Sequence, residues 1–194
     1  PDVTLRNLTI TRGAYSTGII SGGGINNGGK LTLENVTLSG NTAPFGGALS
    51  QQACSGCLEP STVARRCTFT GNHGTSSGGA IVVGGGLLTV ADSSFTENDS
   101  RYAGAIYLYL NGGQTRTVAS ITGSTFSGNS DTGGVGVLEI SGLGATGSVT
   151  VSGSTFTGNG TTATTGTPAA VLHGGGATTT LSGLTIAGNT ATAN

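Results

Sequence analysis

The chain has 194 residues, 38 of them glycine, with no methionine or tryptophan and only 8% charged residues that sum to a net charge of −1. A field this weak gives no means of capturing nucleic acid electrostatically, and no apolar run reaches the ~18 residues of a membrane-spanning helix. The chain starts at Pro1 with the strand-like Val3–Leu5 close behind, which reads as a segment excised from a longer protein.

In chain order, Val3 and Leu5 alternate with polar residues, Asn7 follows as a turn former, and Ile10 opens a second short apolar stretch. The same succession returns at Leu31, Leu33, Asn35 and Leu38–Asn41, then at Thr62, Ala64, Arg66 and Phe69–Asn72. It recurs at Leu88, Val90, Asp92 and Phe95–Asn98, and at Ala119, Ile121, Gly123 and Phe126–Asn129. Two more copies run through Val149, Val151, Gly153 and Phe156–Asn159, and through Thr179, Leu181, Gly183 and Ile186–Asn189. The anchors stand at 10, 38, 69, 95, 126, 156 and 186, in steps of 28, 31, 26, 31, 30 and 30 residues. A period in this range means one supersecondary unit stacked on copies of itself. Disorder, the competing class for a chain rich in Gly, Ser and Thr, is excluded because the apolar residues keep fixed offsets from each anchor.

Those offsets assign roles. The residues five and seven before each anchor lie on one face of a strand and point inward. The residue three before it, Asn or Gly in five of the seven copies, is a corner in left-handed backbone. The anchor points inward from a second strand, and the Asn after it stacks on its counterparts at a second corner. A loop of variable length then leads to a third strand, seen at Gly46–Leu49, Gly78–Ile81 and Ala103–Ile106 and more weakly at Gly22–Ile25, Gly136–Leu138 and Ala169–Val171. Three short strands per coil, each stacking on the next copy, make an all-β, single-stranded parallel β-helix of about seven coils over 1–194. Parallel neighbours lie ~4.8 Å apart, so the rod is roughly 30–35 Å long. Both of its ends are expected to expose strand edges, which predicts either removed caps or end-to-end self-association.

The paired Gly-Gly-Ala-Ile/Leu and Phe-x-x-Asn tetrapeptides resemble the repeats of the chlamydial polymorphic outer-membrane proteins and of other bacterial surface proteins with a pectin-lyase-like β-helix. The resemblance implies a right-handed helix in an extracellular or surface-displayed protein. It implies a passenger region that is often an adhesin, and the leading expectation is a non-catalytic rod, an adhesin or structural fibre, that presents its outer faces and loops to glycans, cells or sister subunits and uses no cofactor. A carbohydrate-active enzyme of the pectin-lyase-like class is the alternative. It needs clustered carboxylates, and Glu97, Asp99 and Asp131 fall in comparable loops of neighbouring coils.

Other features bear on chemistry. Outward rows flank the anchors, Thr9, Thr37, Thr68, Ser94, Thr125, Thr155 and Thr185 on one side, and Thr11, Ser39, Thr70, Thr96, Ser127, Thr157 and Ala187 on the other. A Thr-x-Thr array of this spacing is similar to the ice-binding face of β-helical antifreeze proteins. Tyr107 and Tyr109 alternate with apolar residues and face outward, with Glu139 one coil above Tyr107; together they are a candidate ligand-binding group. Cys54, Cys57 and Cys67 are disulfide candidates, and with His73 they have the makings of a zinc site. Arg6, Glu34 and Arg65 share one offset, which predicts an alternating-charge ladder.

Overall fold

The computed structural model describes residues 2–17, 22–53, 58–110, 116–143, 146–163 and 172–193, and no helix occurs among them. The strands form four parallel sheets that run the length of a solenoid. The first contains Asp2–Arg6, Lys30–Glu34, Ser61–Arg65, Gly86–Ala91, Thr117–Thr122, Ser148–Ser152 and Thr178–Ser182. The second contains Thr9–Thr11, Thr37–Ser39, Thr68–Thr70, Ser94–Thr96, Thr125–Ser127, Thr155–Thr157 and Thr185–Ala187. The third contains Thr42–Phe45, His73–Ser77, Asp99–Tyr102, Ser130–Asp131, Gly160–Ala163 and Thr190–Ala193, and the fourth Ile25–Asn27, Leu49–Gln52, Ile81–Gly84, Ile106–Tyr109, Leu138–Ser141 and Leu172–Gly174.

The register is the one the anchor spacing predicts. Ile10, Leu38, Phe69, Phe95, Phe126, Phe156 and Ile186 are successive partners in the second sheet. The four Phe rings stack with centroids 4.6 Å apart and planes within 6° of parallel. All four are fully buried, each contributing roughly 1.5–3 kcal/mol of apolar burial.

The expected corner is present in every coil: Asn7, Asn35, Arg66, Asp92, Gly123, Gly153 and Gly183 all have φ between 50° and 59°. The Gly-Gly-Ala step has a separate physical cause. A Cβ on Gly47 would come within 2.3 Å of the Gly79 carbonyl oxygen, and one on Gly79 within 2.1 Å of that of Gly104. Backbone of successive coils therefore passes where any side chain would be. Ala48, Ala80 and Ala105 follow, fully buried.

The structure differs from the sequence reading in having four strands per coil where three were expected. The additional strand fills the start of the variable loop. Its inward residues are Ala43, Gly74, Ser100, Asp131 and Thr161, in register and buried. They are small or polar, so hydrophobic alternation does not reveal the strand.

The Asn ladder closes its own hydrogen bonding. Asn72 Nδ2 donates to Asn98 Oδ1 at 2.9 Å and to the Leu38 carbonyl at 3.0 Å, and Asn98 Oδ1 also accepts the Asn72 N–H at 3.1 Å. The same pattern runs from Asn41 through Asn189. Even the degenerate first copy takes part, with the Gly13 N–H donating to Asn41 Oδ1 at 2.8 Å.

Replacing Asn129 with Ala removes donors and acceptors from both neighbouring coils at a fully buried site. The expected cost is roughly 3–5 kcal/mol, against about 0.5 kcal/mol or less for Thr155→Ala on the outer face. Urea unfolding followed by circular dichroism checks the contrast.

Candidate functional site

Only the outer faces and the loops escape the stacking rule, so chemistry must be sought there. On the fourth sheet the outward column reads Asn26, Ser50, Val82, Tyr107 and Glu139. The expected trio of Tyr107, Tyr109 and Glu139 does share this face. Ile106 and Leu108 point inward and are fully buried, while the two Tyr rings are half-buried and stack on each other, centroids 5.4 Å apart.

Tyr109 leans across Gly84, its register partner one coil below, and its hydroxyl donates to Gln52 Oε1 two coils below at 2.9 Å. A Cβ on Gly84 would lie 2.7 Å from the Tyr109 hydroxyl, so that glycine makes the reach possible. Burial raises the pKa of both phenols above the ordinary value.

Glu139 is only 8% exposed, and its Oε2 is buried with no hydrogen-bond partner. Desolvation first, and then the charge of Asp131, push its carboxyl up to about 7. Asp131 is itself buried but fully engaged: its oxygens accept the N–H groups of Gly133, Val135 and Gly136 at 2.9–3.0 Å.

The remaining acids do not converge with it. Asp99 Oδ2 pairs with His73 Nδ1 at 2.6 Å on the third sheet. Glu97 lines a shallow trough with Thr96, Ser127, Gly128, Thr157 and Gly158. Among the described residues no group of three His, Cys, Asp or Glu side chains is placed to hold a metal. The convergence expected of Glu97, Asp99 and Asp131 is thus corrected: Asp131 is buried inside the third sheet, Asp99 faces outward from the neighbouring strand onto His73, and Glu97 lines the trough beside the second sheet.

Cys67 is a buried, free thiol whose Sγ donates to the Arg65 carbonyl at 3.3 Å. Its own N–H donates to Ser93 Oγ, and the pattern continues from Ser93 to Ser124 and from Ser124 to Ser154. Cys67 therefore occupies a serine place in an inward ladder, while His73 faces out onto Asp99, so the two do not join in a zinc site. Cys54 and Cys57 lie outside the described residues.

The sequence reading missed this Ser ladder and the His73–Asp99 pair. Aligning the residues two before each anchor would have found the first; no periodic signal marks the second. The charge ladder needs one correction. Arg6, Glu34 and Arg65 are register partners, yet Glu34 pairs with Arg6 at 2.9 Å and with Arg66 at the corner. The left-handed turn at Arg66 swings its side chain back along the rod. Hydrogen bonds from Arg6 and Arg66 hold the Glu34 carboxyl below the usual range.

The hydroxyl rows lie as expected. Thr37, Thr68, Ser94 and Thr155, with Ser39, Thr70, Thr96, Ser127 and Thr157, are part-exposed and in register on the second sheet.

Residues 66–84 match the family model of the Chlamydia polymorphic membrane protein (Chlamydia_PMP) repeat. That stretch holds Phe69–Asn72 and Gly78–Ile81, one copy each of the two tetrapeptides, set in a parallel β-solenoid. No curated protein and no solved structure matches the chain.

Two outcomes are expected here. Burial raises the Cys67 pKa, so this thiol should resist iodoacetamide at pH 8 in the native protein and react once it is unfolded, as peptide mapping by mass spectrometry would show. The second concerns pH. The folded-state pKa of Glu139 stands at about 7, above its ordinary value of 4.5, so the unfolded chain gives up this proton first. Stability is therefore lost as pH rises from 4.5 to about 7 and is flat above that. At ~1.4 kcal/mol per unit the loss is at most about 3.5 kcal/mol. Glu139→Gln should flatten that slope in thermal melts taken across the window.

Proposed function

We propose that this chain is part of a bacterial surface or outer-membrane-associated protein, a β-helical rod that acts by recognition and not by catalysis. The observation that carries this reading is the polymorphic-membrane-protein repeat at residues 66–84 set within a solenoid whose other coils keep the same register. The rod's interior is committed to stacking, which leaves the outer faces and inter-strand loops to meet glycans, other cells or sister subunits. The acids support recognition over glycosidic chemistry, which needs two free carboxyls facing one bond: Asp131 has both oxygens taken by backbone N–H groups, and Asp99 is paired with His73. The partly buried Tyr107–Tyr109 pair beside Glu139 is the best-formed contact surface on the described faces.

Protease shaving of intact source cells, followed by mass spectrometry, tests the location. Peptides from the loops should be released without lysis; recovery only after lysis would refute surface display. Beads coated with the chain should then bind a partner surface, and retention should fall several-fold for the Tyr107→Ala, Tyr109→Ala double variant.

A second reading rests on the in-register hydroxyl rows of the second sheet, which form a regular lattice suited to ice. Thermal hysteresis at millimolar protein would establish it, and its absence would remove it.

A further inference from the structure

In the outward column of the fourth sheet, Glu139 breaks the pattern set elsewhere in the rod. Other buried polar side chains are paired along the axis: Asn on Asn, Ser on Ser, Thr62 on Gln51 and Asn27. Glu139 Oε2 and Thr161 Oγ1 are the two buried side-chain atoms without a partner among the described residues. A buried acceptor without a donor is costly, and an ionised one far more so.

Among the described residues no side chain supplies the donor. The described ion pairs use Arg6, Arg66, His73 and Arg116, on Glu34, Asp99 and Glu59, and Arg101 lies over the Tyr102 ring. The described groups that face Glu139 are Tyr107 in the coil below, with Tyr109 and Ser141 on the same face, and Asp131 from the third sheet. Asp131 adds negative field while its oxygens are taken by backbone N–H groups. An acid with an unused acceptor, a second negative charge behind it and two stacked phenol rings beside it is complementary to a cation with a flat, donor-rich head. A guanidinium meets both demands: its plane stacks on an aromatic face, and its N–H fork fits a carboxylate.

We infer that the Tyr107–Tyr109–Glu139 face is a recognition site for an arginine side chain of a partner protein. This names the partner chemistry for the outer-face recognition proposed above and rests on that reading. Binding is linked to a proton: the Glu139 carboxyl releases H⁺ to solvent as its carboxylate pairs with the incoming guanidinium. The site is thereby silent toward neutral ligands and strengthens as pH rises.

The test uses the whole chain, ¹³C-labelled at the glutamate carboxyls, with methylguanidinium chloride as probe and sodium chloride of equal ionic strength as control. The probe should lower the Glu139 titration midpoint by about half a unit or more and shift the Tyr107 ring resonances, whereas the salt and neutral urea should do neither. Glu139→Gln, which keeps the buried volume, should weaken the probe's effect on Tyr107 about tenfold. An unmoved midpoint, an equal shift with sodium chloride, or a Tyr107 response that survives in Glu139→Gln would overturn the inference. Because the experiment needs no cell, failure of surface display and failure of the guanidinium site are told apart: shaving of intact cells reports the first and this titration the second.

Discussion

Each inward side chain of this solenoid lies on its counterpart in the next coil, in the Phe and Asn columns on a copy of itself, and that translational constraint governs the rest of the structure. A residue type is allowed inside only if it packs well on itself or completes its own hydrogen bonds. Phe does so by stacking, with rings 4.6 Å apart. Asn does so because it carries two donors and an acceptor in a line, so that each Oδ1 takes two N–H groups from one neighbouring coil. Ser does so through a hydroxyl that accepts from one coil and donates to its own, as Ser93 does to Ala91. Charges of one sign cannot follow this rule, and an 8% charged content is the consequence. Where charges do align, they alternate, Arg6 and Arg66 on either side of Glu34.

The constraint also explains why the two tetrapeptides differ in kind. Phe-x-x-Asn is a statement about side chains, one apolar and one polar group that each tolerate an identical copy above and below. Gly-Gly-Ala is a statement about backbone. Its first residue adopts left-handed φ, 69° at Gly46 and 64° at Gly78, and its second has carbonyl oxygens of the next coil in the space a Cβ would fill. The motif is thus a packing requirement of the sharpest corner, and neither tetrapeptide is a site. Sites belong to positions where the copy is broken, and Glu139, an acid stacked on a tyrosine, is such a break.

Much of the fold was legible because the constraint writes itself into the sequence as a period. The anchors at 69, 95, 126 and 156 identify register partners directly, and the corner residues follow by counting back. The third sheet was not legible, since Ala43, Gly74, Ser100 and Asp131 share burial without sharing hydrophobicity. The candidate trio of Tyr107, Tyr109 and Glu139 was legible as a juxtaposition, because register places Glu139 beside Tyr107. The burial of Glu139, the reach of Tyr109 to Gln52 and the turning of Arg66 onto Glu34 were not, because they depend on which side chains meet between coils, such as the bare Gly84 beneath Tyr109 and the long Arg66 at a corner that elsewhere carries Asn, Asp or Gly.

By itself, then, the sequence determined the solenoid, its register along the anchors, its corners and the inward residues of every sheet but the third, since each of these follows from a repeated offset along one dimension. Tertiary structure alone decided the chemistry: that Cys67 completes a serine ladder while His73 pairs outward with Asp99, that Asp131 is buried with its oxygens on backbone N–H groups, and that one carboxyl oxygen is buried without a donor. The reason is physical. Stacking is a nearest-neighbour property that a periodic sequence specifies coil by coil. The environment of an outer-face residue depends on insertions of unequal length, whose paths over the surface the period does not encode.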